Sequence, residues 1–389
     1  MPPDRTIMVI SHEYPPIAGG GATAIADFAL TMAKRGNRIQ VVTSAIRSLP
    51  PRVPEHENIS YTEVHCFRKR LLNASALELL LFQILSIPVL FHQVRKQKPG
   101  LLFANFGIPS GVSAALISRI LRVPYVCLLG GHDVPGFSNE RFPAVVHSQA
   151  YKGLLAWVYR KALWVMPNSE GLSQLLDRTI PGLRIKVVRY GITPSGGYAD
   201  VSDHPGSRPT LLHVARLEER KRQEDLLEAC SILRRQGIEF QLRIVGDGAL
   251  REKLETLTKN LSLQAEVSFT GFVATEDVNT LLKEADVFVL CSTAEGMPRV
   301  VLEAIATGLP VVMTNVQGAA ELVEEGVNGL LVPPLQPKSL AQALATVLSD
   351  PELRLNMAAA ARSKAPGLSW DASCETIEQV YDDTVVPSN

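Results

Sequence analysis

Short apolar, β-rich runs alternate with amphipathic segments along most of this chain. No other feature of the sequence limits its fold so strongly. "TIMVIS" (6–11), "RIQVVTS" (38–44), "GLLFANF" (100–106), "YVCLLGG" (125–131) and "LWVMPNS" (163–169) read as buried strands. Segments such as "ATAIADFALTMAKRG" (22–36) lie between them, and this one ends in Gly36 as a helix C-terminus does. Strand–helix alternation implies a parallel sheet with helices on both faces. At "TPSGGYADVSDHPGSRP" (193–209) the texture turns to Gly, Pro, Ser and Asp, the composition of a linker. The alternation then restarts with "TLLHVA", "FQLRIVG", "EVSFTG", "DVFVLCS" and "LPVVMT" as strands, each followed or separated by a helical pattern. Residues from about 337 to 384 read as helices alone. A chain of 389 residues exceeds one ordinary core. The expected organisation is a first doubly wound domain over 1–195, a linker over 196–208 and a second such domain over 209–365. A C-terminal helix over 366–389 would be placed to pack back on the first domain. In folds of this class, ligands sit beyond the carboxyl ends of the strands, so the loops there are where chemistry is to be sought.

The net charge of zero hides an asymmetry: residues 1–200 carry 22 Lys/Arg against 12 Asp/Glu, and the remainder carries 17 against 27. A basic half suits an anionic partner (nucleic acid, a phospholipid surface or a phosphorylated substrate), or simply solvates a different face. Five cysteines, an odd number with no Cys-x-x-Cys, argue against a disulfide framework or zinc site and for a reducing, cytoplasmic compartment. "MPPDRTIMVIS" reads as a first strand and not a signal peptide. The greasiest stretch, "ALELLLFQILSIPVLF" (76–91), contains Glu78, Gln83 and Pro88. It falls short of the roughly 20 residues of a membrane span, so no transmembrane helix is expected. With its basic flank "FRKR" it suggests either peripheral contact with an anionic membrane or a core helix of the first domain.

Four strand-end loops carry candidate chemistry. "SHEYPPIAGGG" places Gly19, Gly20 and Gly21 before a helix, where free N–H groups and the helix dipole favour a phosphate; a flexible loop of small residues is the alternative. "HVARLEERKRQ" sets Arg216 and Lys221 five residues apart, able to meet one anion. Arg220 and Arg222 beside them make a merely solvated basic loop the competing reading. "IVGDGALREKLE" carries Gly246 and Gly248 but Arg251 where a dinucleotide fingerprint needs its third glycine. Hydride chemistry is thus not expected, and the glycines read as allowing a tight turn. "AEGMPRVVLEAIATGLPVV" (294–312) puts Glu295 in a loop and Glu303 one turn into a helix that has Pro298 at its first position and closes at Gly308. Two acids so placed are suited to accept hydrogen bonds from vicinal hydroxyls, as on a sugar and a ribose; the alternative is a capping Glu plus a Glu ion-paired to Arg. No two Asp stand two residues apart, so the Asp-x-Asp metal motif of many sugar-nucleotide enzymes is absent. Charge neutralisation is expected from Arg, Lys and backbone N–H groups without a metal.

These motifs, in this order, resemble the retaining glycosyltransferases of family 4 (glycosyl transferases group 1), which have the GT-B architecture of two Rossmann-like domains facing a cleft. The resemblance rests on "EGMPRVVLEAIATGLPVV", which carries the family's Glu-x7-Glu signature, together with "YPPIAGG", "FANFGIPSG", "GGHDVPGF", "ARLEERKRQEDLLEA", "VSFTGFV" and "TNVQGAAELVEEGVNGLLVPP". It implies sugar transfer from a UDP- or GDP-linked donor to a carbohydrate or lipid-linked acceptor, with no nucleic acid partner and no cofactor. Arg216 and Lys221 match the pair that binds the donor diphosphate, and Glu303 the acid that holds the ribose. Glu295 matches the acid that contacts the transferred sugar, with Gly296, Met297, Pro298 and Arg299 giving backbone contacts. Gly271, Phe272 and Val273 fall where the nucleobase docks, and Gly19 and Gly20 where the first domain nears diphosphate and sugar. The family's usual His-Gly-x-Asp is here "GGHD": aligned on Asp133, the histidine position is Gly130, and His132 is the shifted candidate for the catalytic histidine. "RYGIT" stands where Asn-Gly is common, and "EGMP" replaces the frequent "EGFG". Two other readings fit the same residues: a sugar-nucleotide epimerase of related fold, and a non-catalytic sugar-nucleotide-binding module.

Overall fold

The computed structural model describes residues 5–17, 19–69, 74–137, 148–192 and 208–385. The chain divides into two compact units, Met1–Thr193 with Trp370–Asn389, and Pro194–Ser369. Of the expected linker, only Arg208 falls among the described residues.

Unit 1 runs β1 (Thr6–Ser11), α1 (Gly20–Lys34), β2 (Arg38–Ile46), β3 (Ile59–Arg68), α2 (Ala76–Gln97), β4 (Leu101–Asn105), α3 (Val112–Leu121), β5 (Tyr125–Leu129), α4 (Gln149–Lys161), β6 (Trp164–Pro167) and α5 (Glu170–Thr179). Its six-stranded sheet has the order β3-β2-β1-β4-β5-β6, every pairing parallel. Unit 2 runs β7 (Thr210–Val214), α6 (Gln223–Arg235), β8 (Gln241–Val245), α7 (Arg251–Asn260), β9 (Val267–Gly271), α8 (Thr275–Lys283), β10 (Val287–Leu290), α9 (Arg299–Ala306), β11 (Val311–Thr314), α10 (Ala319–Leu322), β12 (Gly329–Val332), α11 (Pro337–Ser349) and α12 (Pro351–Lys364). Its sheet repeats the pattern as β12-β11-β10-β7-β8-β9, again parallel throughout. The ten strands read from the sequence are present, and two more, β3 and β12, lie at sheet edges. β4 and β5 are buried along their whole length, as strands covered on both faces must be.

The last helix, α13 (Asp371–Val385), belongs to unit 1. Trp370, fully buried at its start, packs on Phe28 and Tyr190. Arg35 holds Glu378 in a two-pronged bond of 3.1 and 2.9 Å, and Arg5 holds Asp382 at 2.7 and 2.6 Å.

The greasy stretch 76–91 lies in a helix that runs on to Gln97, 22 residues in all, which is long and apolar enough by length and composition to cross a membrane. A capping box of Ser75 and Glu78 starts it. Phe82, Ser86, Leu90 and Val94, spaced four apart, form its buried face, and Ser86 meets Ser113 of α3 at 2.8 Å. Leu77, Leu80 and Ile84 are exposed. The helix thus buries one narrow stripe and leaves much apolar surface uncovered.

Candidate functional site

On unit 2 the loop after β7 meets the loop after β10. Glycine makes this possible. Gly246 (φ +124) and Gly248 let the end of β8 lie against Ala215–Leu217: a Cβ on Gly246 would stand 2.0 Å from the Ala215 carbonyl, and one on Gly248 2.3 Å from that of Leu217. These glycines serve a close backbone approach as well as a turn. Leu217 N–H donates to Asp247 O at 3.0 Å and sets the loop's course. A single tight turn, Glu219–Lys221, follows; its Arg220 and Lys221 reach Glu295 in the loop after β10, and Thr293 N–H donates to Arg220 O at 2.9 Å across the two loops.

The result is a row of alternating charges. Arg216 lies 3.5 Å from Glu218, and Glu218 lies 2.9 Å from Arg220. Arg220 lies 3.3 Å from Glu295, and Lys221 Nζ reaches the same Glu295 oxygen at 2.5 Å. Burial alone would push the Glu295 carboxyl up, but the charges of Lys221 and Arg220 outweigh it and hold the group well below the ordinary carboxylate range. Arg216 at one end is half-buried, whereas Arg220, Lys221 and Glu295 are nearly covered, at 6, 12 and 9% side-chain exposure. Three cations against two anions leave one positive charge in excess, suited to a further anion. Behind the row, buried His213 donates from Nδ1 to Val289 O at 2.9 Å and neighbours Gln223, whose amide donates to Arg216 O at 2.9 Å. Burial pushes His213 down to about 4, so it is neutral near pH 7.

Glu295 pairs with Lys221 and Arg220. Glu303 accepts from Arg299 Nε at 2.8 Å, one turn back on α9. Pro298 is the residue before the helix, not its first, and Gly308 (φ +83) follows its end. Gly296, Met297 and Pro298 are buried between the two acids. Glu295 N–H donates to Gln317 Oε1 at 3.3 Å and so ties this loop to the one after β11. Gly271 (φ +77) ends β9 and takes Gly246 N–H at 2.8 Å, leaving Phe272 59% exposed beside it. Arg216, Lys221 and Glu295 are therefore joined in one row of charges, while Glu303 with Arg299 follows β10 and Gly271–Val273 follow β9, at the far edge of the same sheet. Sequence reasoning missed Arg220. It stands in a run of charges that reads as solvated, yet it donates to Ala294 O at 2.5 Å and is buried. Arg222 pairs locally with Asp225 at 2.6 Å.

The remaining candidates are on unit 1, at its own strand ends. Gly19 (φ +140) precedes α1, and Gly20 begins it. A Cβ on Gly21 would stand 2.7 Å from the Phe106 ring, and one on Gly130 would stand 3.1 Å from the same ring and 3.0 Å from Tyr190 Oη. Phe106 and Tyr190 thus crowd position 130, and a side chain there would require them to shift by a few tenths of an ångström. His132 is exposed, its ring 5.6 Å from that of Phe137. Asp133 beneath it accepts from Gly107, Gly130 and Gly131 N–H at 3.1, 3.2 and 3.1 Å. Burial nevertheless raises this carboxyl to about 6. Among the described residues no group of three His, Cys, Asp or Glu is arranged to hold a metal ion.

Two parallel-sheet α/β units with an anion-ready row of charges at a strand end define a protein of GT-B architecture. The comparison with known proteins agrees. The family described as Glycosyltransferase Family 4 matches residues 18–195, and that described as Glycosyl transferases group 1 matches residues 198–364. The chain belongs to this glycosyltransferase family. It is 30% identical over 285 residues to alpha-D-kanosaminyltransferase of Streptomyces kanamyceticus, covering 68% of this chain and 72% of that one. It is 37% identical over 255 residues to the amylovoran biosynthesis glycosyltransferase AmsK of Erwinia amylovora, covering 64% of this chain. The chain spans 60% of the length of AmsK and of a relative from Salmonella typhimurium. In fold it is similar to HepE of Anabaena, solved in complex with UDP-glucose, with a TM-score of 0.75 at 22% identity over 97% of this chain and 99% of that one.

Proposed function

We propose that this chain is a retaining, metal-independent glycosyltransferase that moves a sugar from a nucleoside-diphosphate donor to an acceptor hydroxyl. The observation that carries the reading is the row Arg216–Glu218–Arg220–Glu295–Lys221, which gathers surplus positive charge beside an ionised carboxylate. In this reading Arg216 and Lys221 take the donor diphosphate, Glu295 the hydroxyls of the sugar and Glu303 those of the ribose. Gly296, Met297, Pro298 and Arg299 line the sugar, and Gly271, Phe272 and Val273 meet the base. As the bond from anomeric carbon to phosphate oxygen breaks, the two cations stabilise the leaving diphosphate. The acceptor oxygen attacks from the same face and passes its proton to that phosphate. Unit 1 is proposed to take a carbohydrate or lipid-linked acceptor, with Gly19 and Gly20 as its contacts to the donor and His132 as its candidate catalytic histidine. The complex of HepE with UDP-glucose supports a UDP-linked donor ahead of a GDP-linked one, and the amylovoran role in the name of AmsK supports a growing glycan as acceptor. A thermal-shift panel of nucleotide sugars tests the reading, because a bound donor raises the melting temperature by mass action. Lys221→Ala is expected to lower turnover by about 10²-fold or more. Near-normal turnover in the folded variant counts against the assignment, and conversion of donor without acceptor points to epimerisation.

The exposed stripe of α2 supports a partner for unit 1: an anionic bilayer at the cytoplasmic face, met peripherally. Leu77, Leu80 and Ile84 are 54–63% exposed, and Arg95, Lys96 and Lys98 follow at the helix end, exposed. An apolar stripe flanked by cations complements an anionic lipid surface. Co-sedimentation with anionic vesicles, lost in zwitterionic vesicles, in high salt and in Leu80→Glu/Ile84→Glu, is the expected result. Equal recovery with both lipids refutes it.

A further inference from the structure

The donor site has one carboxylate with two cations, and the two are not equivalent. Lys221 Nζ and Arg220 Nη1 approach the same Glu295 oxygen at 2.5 and 3.3 Å. Lys221 has no other ion-pair partner among the described residues, and an ammonium on a flexible four-carbon stem is free to turn to a new anion. Arg220 is immobilised on three sides: it donates to Ala294 O at 2.5 Å, to Glu218 at 2.9 Å, and its own carbonyl takes Thr293 N–H at 2.9 Å. It cannot leave Glu295 without dismantling the loop that carries that acid.

We propose that Arg220 is a positioning residue of the donor site, the permanent counter-ion of Glu295, which frees Lys221 to act as the exchangeable one and take the donor's diphosphate. The inference rests on the function proposed above. A lysine drawn away from its only buried carboxylate would leave an uncompensated charge, which is strongly unfavourable. With Arg220 in place the carboxylate keeps a partner, stays ionised and stays aimed, and Lys221 transfers to phosphate at little cost. Glu218 plays the same part for Arg220, and Arg216 at the exposed end completes the row.

The experiment is a cycle of variants read by calorimetric binding of UDP and GDP, which have the diphosphate and ribose but no transferable sugar for Glu295 to hold. In Arg220→Met the only counter-ion of Glu295 is Lys221, so nucleoside-diphosphate affinity is expected to fall about tenfold or more. In Arg220→Met/Glu295→Gln the competing carboxylate is gone, and affinity is expected to return toward the wild type. Glu295→Gln alone supplies the reference against which the effect of Arg220→Met in the double variant is read. This rescue separates the proposal from a merely structural role, in which Arg220→Met loses affinity and Glu295→Gln does not restore it. Should Arg220→Met not fold, Arg220→Gln, which can still donate to Ala294 O without a charge, gives the same cycle. Wild-type-like affinity in folded Arg220→Met, or no recovery in the double variant, overturns the proposal. If the wild-type chain binds neither nucleotide, the reading of the site fails and the proposal with it; if the wild type binds and the cycle shows no coupling, only the proposal fails.

Discussion

The row of charges predicts an asymmetry in stability that can be measured without any substrate. Lys221→Met leaves Glu295 still paired with Arg220 at 3.3 Å, so no buried charge is stranded. Glu295→Met strands Lys221 and removes one of the carboxylates of Arg220, with both cations nearly covered. Breaking a buried ion pair by removing one partner costs about 3–5 kcal/mol when an uncompensated charge remains, and little when it does not. Glu295→Met should therefore destabilise unit 2 by about 3 kcal/mol and Lys221→Met by about 1 kcal/mol or less, a gap of about 2 kcal/mol. The assay is urea unfolding near pH 7 followed by fluorescence and circular dichroism, with the transition of each unit fitted separately because a two-unit chain need not be two-state. The pH dependence has a definite sign. The folded pKa of Glu295 is depressed, so its contribution is present above the unfolded carboxylate value and is lost as pH falls through the folded one. Equal losses in the two variants, or a greater loss in Lys221→Met, would refute the claim that Arg220 is an independent counter-ion.

Three further perturbations test the structure elsewhere. Asp133 is buried with its carboxyl raised from 3.8 to about 6, so its contribution is full below the unfolded value and is lost as pH rises through 6. Wild type should lose about 2–3 kcal/mol relative to Asp133→Asn between pH 4 and 7 in urea titrations, and parallel curves count against the raised value. Gly130→His, which puts back the family's histidine, should lower the stability of unit 1 by about 1–3 kcal/mol through crowding. Tyr190→Phe should relieve part of this, since Tyr190 Oη lies 3.0 Å from the new Cβ; an unchanged Tm for Gly130→His argues against that packing. Gly246→Ala combines a positive φ with a Cβ 2.0 Å from the Ala215 carbonyl. It should cost about 4 kcal/mol or more and abolish nucleotide-dependent thermal shifts, because the strand end before Arg216 must move.

What the sequence disclosed and what it hid follow from the range of the interactions involved. β1, β4, β5 and β10 were legible because a strand covered on both faces needs an unbroken apolar run. β3, "ISYTEVHCFR", carries Ser60, His65 and Phe67 as exposed residues on a sheet edge and lacks such a run. β12 is four residues long and begins on Gly329, whose Cβ would stand 2.0 Å from the Val311 carbonyl of its neighbour; only the presence of β11 makes it a strand. Local capping chemistry located the start of α9 to within one residue of Pro298. The charges behave differently. In "LEERKRQ" every cation looks alike, because a sequence shows that a charge exists but not what it faces. Folding leaves Arg216 half-buried beside Glu218 and sorts Arg220 to the interior, Lys221 to Glu295 and Arg222 to Asp225. The partner that decides the fate of Arg220 and Lys221 lies more than seventy residues away, on another strand end. Spacing within one loop could suggest a cation pair for a diphosphate. It could not show that the carboxylate after the next strand but two, Glu295, already holds one of those cations at 2.5 Å.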